Sequence, residues 1–162
     1  MMTQTKSTIR AGVMGWPVGH SLSPKLHGYW LKKYGIDGSY EAIPVEPDHF
    51  SERLLELAGA GYAGVNVTLP HKKAALKAVH TVSPEARRIG AVNTIVMHSD
   101  GTLEGRNTDA FGFLENLKSA RPGWSAGLGP AVLIGAGGAA RAVAWALVND
   151  GVPEVRIINR TL

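Results

Sequence analysis

The chain has 162 residues, of which 44% are hydrophobic and 19% are charged, as is ordinary for a globular protein. The net charge of +4 is mild and no long basic run occurs, which argues against nucleic acid but suits small anionic ligands. The absence of cysteine excludes disulfides, thiolate catalysis and Cys-type zinc sites here. No signal peptide or membrane span is indicated, so we expect a cytoplasmic protein without a membrane partner.

The first hundred residues alternate between predicted strands and helices. Strands are expected over residues 8–15, 38–45 and 64–69, and helices over residues 23–36, 47–61, 70–79 and 83–90. Leu54, Leu55 and Leu57 are assigned to the apolar side of the second helix. Residues 91–107 favour a hairpin, with Asp100-Gly101 as a two-residue turn. The alternation predicts a largely parallel sheet covered on both faces.

The stretch VNVTLPHKKAAL, residues 65–76, places a lysine where it is electrostatically awkward. Pro70 fits the first position of a helix, so Lys72 is expected in the first turn, where the helix dipole disfavours a cation. The lysine follows Asn66 and Thr68 at the end of a strand. This combination suggests a functional site.

A second region begins after the hairpin. Residues 108–120 are predicted to be helical, and residues 121–130 form a Gly/Pro-rich connector. A strand, a glycine turn, a helix and another strand follow, which is one strand–helix–strand unit. A dinucleotide-binding domain needs two such halves, so the chain is interpreted as the N-terminal portion of something longer, with an incomplete Rossmann domain.

The glycine turn VLIGAGGAAR matches the dinucleotide fingerprint. Gly135, Gly137 and Ala140 have the G-x-G-x-x-G/A spacing directly after a strand and at the start of a helix. The backbone from Gly135 to Ala139 is therefore expected to bind a pyrophosphate, and the cofactor-binding residues there are Gly135, Ala136, Gly137, Gly138 and Ala139. The alternative is a glycine-rich turn without a ligand.

The end of the last strand indicates which nucleotide binds. NAD sites usually have an acidic residue at this point, whereas this chain has Asn159, Arg160 and Thr161. A guanidinium suits a 2′-phosphate, so the sequence predicts NADP. The alternative is a surface arginine at a strand end.

Several other polar residues permit two readings when taken singly. Asp109 is either part of a site or a first-turn acid that complements a helix dipole, and Asn93 is equally typical of a turn. Ser21 and Ser23 are plausible helix caps, with Ser23 at the N-cap itself. No histidine cluster is present, so no metal site is predicted.

Taken together, the motifs resemble those of the shikimate dehydrogenase family. Six stretches occur in that family's order and spacing, namely GHSLSPKLH, GVNVTLPHK, IGAVNT, GRNTDAFGF, GAGGAAR and INRT. The resemblance implies an α/β fold, with a three-layer substrate domain over residues 1–107 and part of an NADP-binding Rossmann domain over residues 108–162. It also implies reversible NADPH-dependent reduction of 3-dehydroshikimate to shikimate, as a monomer or homodimer.

The resemblance also assigns roles to individual residues. Lys72 and Asp109 are the implied catalytic pair, and the implied substrate-binding residues are Ser21, Ser23, Asn66, Thr68, Lys72, Asn93 and Asp109. Family members continue past the INRT motif, so we expect these 162 residues alone to be poorly active. Two alternatives are a quinate/shikimate dehydrogenase with relaxed cofactor use and a non-catalytic shikimate-binding fragment.

Overall fold

A computed structural model describes residues 8–161, which form a six-stranded sheet and a separate two-stranded sheet with six α-helices. The strands are β1 (Ile9–Gly15), β2 (Gly38–Pro44), β3 (Gly64–Val67), β4 (Thr81–Val82), β5 (Thr94–Met97), β6 (Leu103–Arg106), β7 (Ala131–Ile134) and β8 (Val155–Ile158). The helices are α1 (Ser23–Lys33), α2 (Phe50–Gly59), α3 (Lys72–Ala78), α4 (Pro84–Ile89), α5 (Asp109–Ala120) and α6 (Gly138–Asn149). The α/β fold class is confirmed.

The larger sheet is mixed, with strand order β2-β1-β3-β5-β6-β4. Strand β1 pairs in parallel with β2 and β3, and β4 pairs in parallel with β6, but β5 runs antiparallel to both of its neighbours. The expectation of a largely parallel sheet is confirmed for β1, β2 and β3 and for β4 with β6, and the antiparallel pair of β5 and β6 is the predicted hairpin. The antiparallel pairing of β5 with β3 was not predicted. The short edge strand β4 was not predicted.

Helices cover both faces of this sheet, as a three-layer arrangement requires. Phe50 and Leu54 of α2 pack with Ile43 of β2 in the main core. Tyr40 of β2 points to the opposite face because strand side chains alternate, and there it stacks on His27 of α1. Most of the buried apolar side chains therefore lie on the α2 side.

Four local predictions are corrected by the structure. Ser23 is the first residue of α1 and not its N-cap, which is Leu22, and the Ser23 N–H donates to the Ser21 hydroxyl at 3.3 Å. Leu55 is 59% exposed, since α2 directs only Leu54 and Leu57 inward. Pro70 lies before the helix, so α3 begins at Lys72 itself, with His71 at its N-cap.

The fourth correction concerns the hairpin turn. The N–H of Gly101 donates to the His98 carbonyl at 3.0 Å, and Gly101 has a φ of +84°. The turn is therefore centred on Ser99 and Asp100, with glycine at the left-handed position that follows. Asp100 accepts from the Thr102 N–H and hydroxyl, which is why it lies inside the turn and not at its exit.

The second region contains the predicted strand–helix–strand unit. Strands β7 and β8 pair in parallel, and α6 connects them. A small core joins this unit to the rest through Ile89 of α4, Ala110 of α5, and Ala142 and Ala146 of α6. The small alanine side chains allow α5 and α6 to pack closely.

Candidate active site

The side chains of Lys72 and Asp109 form an ion pair that joins the starts of two helices in the candidate site. Lys72 Nζ lies 2.7 Å from Asp109 Oδ2, and the two side chains are 16% and 29% exposed. Lys72 is the first residue of α3 and Asp109 the first of α5. The carboxylate offsets the unfavourable position of a cation at a helix start and fixes the direction of the ammonium group.

The sheet topology explains why these residues meet. Strands β1, β3 and β6 all end at one edge of the six-stranded sheet, and β5 begins there, since Asn66 is paired with Thr94 and Thr94 with Arg106. The segments that follow β1, β3 and β6 carry Ser21, Lys72 and Asp109. Ligands of α/β proteins usually bind at such an edge.

Asn93 anchors the Asp109 carboxylate from the side opposite Lys72. Its Nδ2 donates to Asp109 Oδ1 at 2.8 Å and to the Thr108 hydroxyl at 3.0 Å, while its Oδ1 accepts the Thr108 N–H at 2.9 Å. Asn107 fixes the same turn, because its Oδ1 accepts the Asp109 N–H and its Nδ2 donates to the Ala91 carbonyl. Both oxygens of Asp109 therefore accept hydrogen bonds.

A chain of hydrogen bonds extends from this pair across the sheet edge. The Thr94 hydroxyl donates to Asn93 Oδ1 at 3.0 Å and accepts from Asn66 Nδ2 at 3.1 Å. Asn66 Oδ1 in turn accepts from the Tyr40 hydroxyl at 2.7 Å. The network thus links β2, β3 and β5 to the Lys72–Asp109 pair, and a polar ligand placed here would meet donors and acceptors in fixed positions.

The buried side chain of His71 anchors the loop between β3 and α3. Its ring is buried, stacks on Phe50 at a centroid distance of 4.8 Å, and donates from Nε2 to the Val45 carbonyl at 2.8 Å. The His71 N–H also donates to the Thr68 carbonyl. These contacts fix the backbone that presents Lys72.

His71 should make the folded state acid-sensitive. Burial lowers the pKa of His71 below its usual value of 6.5, so the unfolded chain binds more protons, and the stability from neutral His71 is lost as pH falls below about 6.5. We expect His71→Phe to keep the stack on Phe50 but to be less stable than wild type by about 1 kcal/mol near pH 7, because the Val45 carbonyl loses its hydrogen-bond donor. Between about pH 7 and pH 5, the free energy of unfolding should fall less in His71→Phe than in wild type. Urea unfolding at several pH values measures this.

His49→Gln is the matched control, because that imidazole lies on the surface beside Glu52. It should keep the acid sensitivity of the wild type. Some sensitivity will remain in His71→Phe as well, since burial also lowers the pKa of His27. Equal losses of stability in wild type and His71→Phe would contradict the prediction.

The glycine turn lies directly against Lys72. A Cβ atom added at Gly138 would lie 3.1 Å from both Cβ and Cδ of Lys72, closer than ordinary packing allows. A cleft of about 320 Å³ lies beside this contact and is lined by both segments, including Thr68, Pro70, Lys72, Gly137 and Ala139. The catalytic candidate and the candidate nucleotide loop therefore share one cleft.

The residues of the glycine turn fit a dinucleotide phosphate. Gly135 has a φ of +107°, a conformation that side chains rarely adopt, and open space lies where a Cβ of Gly137 would be. The twelve-residue helix α6 begins at Gly138, so its first N–H groups have no partners within the helix. Ala136 and Ala139 complete the exposed turn.

The segment after β8 lies at the same edge of the two-stranded sheet as the glycine turn. The Gly135 N–H donates to the Ile158 carbonyl at 2.7 Å, and Asn159, Arg160 and Thr161 follow with exposed side chains. Asn159 Nδ2 donates to the Thr161 carbonyl at 2.6 Å, which tightens this end. A guanidinium here could reach a phosphate on the ribose of a bound nucleotide.

The structure brings most of the predicted site residues together. Lys72, Asp109, Asn93 and Asn66 belong to one hydrogen-bonded network, and Thr68 lines the cleft beside them. Ser21 contacts the Ser23 N–H, but no hydrogen bond among the described residues joins its side chain to that network. Tyr40, Thr94, Asn107 and Thr108 were missed, although all of them except Tyr40 lay inside stretches that the sequence marked.

Two further observations apply to residues 8–161. No group of three or more His, Cys, Asp or Glu side chains within that range is arranged to hold a metal ion. In the same part of the chain, none of the helices combines the length and apolar character needed to cross a membrane.

The chain is similar to known proteins over most of its length. Residues 13–95 match the family described as shikimate dehydrogenase substrate binding domain. Shikimate dehydrogenase (NADP(+)) of Paramagnetospirillum magneticum is 58% identical over 151 residues, which cover 93% of this chain and 55% of that protein. The chain spans about half the length of the curated relatives it matches.

Solved structures give the same result. Shikimate 5-dehydrogenase from Thermus thermophilus in complex with shikimate superposes with a TM-score of 0.86 at 50% identity, covering 94% of this chain and 57% of that one. The same enzyme in complex with NADP(H) and shikimate superposes with a TM-score of 0.85 at 50% identity, covering 94% of this chain and 56% of that one.

Proposed function

Since the chain belongs to the shikimate dehydrogenase family, we propose that the whole protein of which it forms part reduces 3-dehydroshikimate to shikimate reversibly with NADPH. The observation that carries this proposal is the 2.7 Å ion pair of Lys72 and Asp109 beside the glycine turn. An ammonium group that shares a cleft with a nucleotide loop and is paired with a carboxylate supplies the parts that carbonyl reduction needs.

The proposed substrate contacts follow the polar groups at the sheet edge. Hydroxyls of Ser21 and Ser23 would bind the substrate carboxylate, since both lie at the start of α1. The ring hydroxyls would bind to other polar side chains of the same edge, namely Asn66, Thr68, Asn93 and Asp109. Amides suit this task because they donate and accept at once.

Lys72 is the group proposed to act on the reacting carbonyl. NADPH supplies the hydride when it is bound. Negative charge then develops on the carbonyl oxygen, and the ammonium of Lys72, which has three donors and gives one to Asp109, can stabilise that charge and transfer a proton. Asp109 accepts at both oxygens, so it is proposed to orient Lys72 and to accept from a ring hydroxyl.

The cofactor would bind across the ends of β7 and β8. The backbone of Gly135, Ala136, Gly137, Gly138 and Ala139 would hold the pyrophosphate, and Asn159, Arg160 and Thr161 would surround the adenosine ribose. Arg160 is proposed to bind the 2′-phosphate, which makes NADP the preferred nucleotide.

The proposed domain division places residues 1–107 in a substrate domain and residues 108–162 in a nucleotide-binding domain. The division is supported by the two separate sheets and by the position of the larger core, which lies wholly before Asn107. We propose further that the protein is a cytoplasmic monomer or homodimer, which sedimentation of the whole protein would distinguish. None of the 162 residues is a cysteine, so this part carries no disulfide that depends on an oxidising compartment.

The test of the function is a steady-state assay of the whole protein with 3-dehydroshikimate and NADPH. We expect saturable NADPH oxidation, and in the reverse direction a higher kcat/KM for shikimate than for quinate and for NADP than for NAD. Comparable rates with quinate and with NAD would instead favour a quinate/shikimate dehydrogenase. The absence of turnover in a folded sample that binds shikimate by calorimetry would favour a non-catalytic role.

A further inference from the structure

Tyr40 occupies a central position in the polar network although its sequence context gives no sign of this. Its hydroxyl donates to Asn66 Oδ1 at 2.7 Å. Tyr40 lies on β2 and Asn66 on β3, with β1 between these two strands in the sheet. One half-buried phenol on β2 therefore holds a side chain of β3 that is proposed to bind the substrate.

The hydrogen bonds of the network all donate in one direction, from Tyr40 towards Asp109, and this fixes the orientation of the Asn66 amide. Asp109 accepts at both of its oxygens, so Asn93 presents its Nδ2 to Asp109 and its Oδ1 to the Thr94 hydroxyl. Thr94 thereby gives its proton to Asn93 and accepts from Asn66 Nδ2. The Asn66 Oδ1 is left facing Tyr40, which must donate to it.

Tyr40 is suited to be a permanent donor held in one place. Burial raises the pKa of Tyr40 to about 12, so the phenol keeps its proton at neutral pH. The ring stacks on His27 with a centroid distance of 4.0 Å and an interplanar angle of 4°. The stack fixes the ring while the hydroxyl fixes the amide.

We propose that Tyr40 is a positioning residue for substrate binding, which holds the Asn66 amide in one orientation. The inference rests on the proposed function, because it assumes that Asn66 contacts the substrate. Tyr40 itself acts through Asn66, so it should affect how well the ring hydroxyls are bound and leave the Lys72–Asp109 pair as it is. Its loss would appear in KM and not in kcat.

The test is Tyr40→Phe in the whole protein, with Tyr34→Phe as the matched control. Phenylalanine keeps the stack on His27 and removes only the hydroxyl, whereas Tyr34 follows α1 with a side chain that is 64% exposed. We expect Tyr40→Phe to raise the KM for shikimate about 5- to 10-fold, with kcat changed less than about 2-fold and the KM for NADP unchanged. Tyr34→Phe should match the wild type.

A double-mutant cycle separates positioning from a general structural role. In an Asn66→Ala background the phenol has no amide to hold, so Tyr40→Phe should raise the KM by less than about 2-fold more. An unchanged KM in Tyr40→Phe, or an equal rise with and without Asn66, would overturn the inference while leaving the function intact. A wild-type protein that does not turn over shikimate would overturn the proposed function, and this inference with it.

Discussion

Replacing Lys72 with methionine should lower kcat for shikimate oxidation by about 10³-fold, while the affinity for shikimate changes by only a few-fold. Methionine keeps an unbranched stem of similar length, which matters because the Lys72 stem packs directly against Gly138. It removes the ammonium that is proposed to stabilise the developing alkoxide. The ground state loses little, because Ser21, Ser23, Asn66 and Asn93 are proposed to supply most of the substrate binding.

Lys77→Met is the matched control for this experiment. Lys77 lies in the last turn of the same helix with an exposed side chain, so its loss should leave kcat and KM at wild-type values. Stopped-flow kinetics separates the chemical step from product release, and calorimetry gives the shikimate affinity of each variant. Turnover of Lys72→Met within about 10-fold of the wild type would show that another group supplies the proton.

The elements of the fold could largely be read from the sequence because their signals are local. Ser83 caps α4 through the Ala86 N–H, and Gly90 ends that helix in the left-handed conformation. The strand, glycine turn and helix around Gly135 appear where the fingerprint placed them. Signals of this kind depend on neighbouring residues only, so no knowledge of the tertiary fold is needed.

The missed features depend on pairings that no local pattern records. Thr94 enters the site because the antiparallel register of β3 and β5 places it opposite Asn66, and Tyr40 does so because β2 is two strands from β3 in the same sheet. Both residue types are common in strands, so neither is conspicuous there. Leu55 is the opposite kind of error, a residue predicted to be buried that is exposed. It was assigned to the apolar side of α2 together with its neighbour Leu54, but the helix directs it to solvent.

The approach of Lys72 to Asp109 was expected from the resemblance, and the structure places the two atoms 2.7 Å apart. The network behind the pair could not be predicted, because it depends on contacts between the residue before β5, Asn93, and the residues after β6, Asn107 and Thr108. The individual residues had each permitted a plainer reading as turn formers or caps. Their convergence on one carboxylate is what makes the site argument stronger than the motifs alone.

Arg160→Asp should reverse the nucleotide preference of the whole protein. A charge-assisted, bidentate contact between a guanidinium and the 2′-phosphate is worth about 2–3 kcal/mol, so kcat/KM for NADP should fall by about 100-fold. The new carboxylate would repel the phosphate and bond the 2′-hydroxyl of NAD, so kcat/KM for NAD should be unchanged or higher. The ratio of the two values in steady-state assays is the measurement.

Arg156→Gln provides the control, because Arg156 lies on β8, just before the segment of Arg160, but is paired with Glu154 at 2.9 Å on the surface. Removing that exposed pair should leave the ratio for NADP and NAD unchanged, since it lies away from the strand end and surface ion pairs contribute little. If Arg160→Asp also left the ratio unchanged, the 2′-phosphate would have to be held elsewhere. The assignment of the segment after β8 to the adenosine end of the cofactor would then be wrong, whereas the role of the glycine turn would stand, because it depends on backbone N–H groups that neither substitution alters.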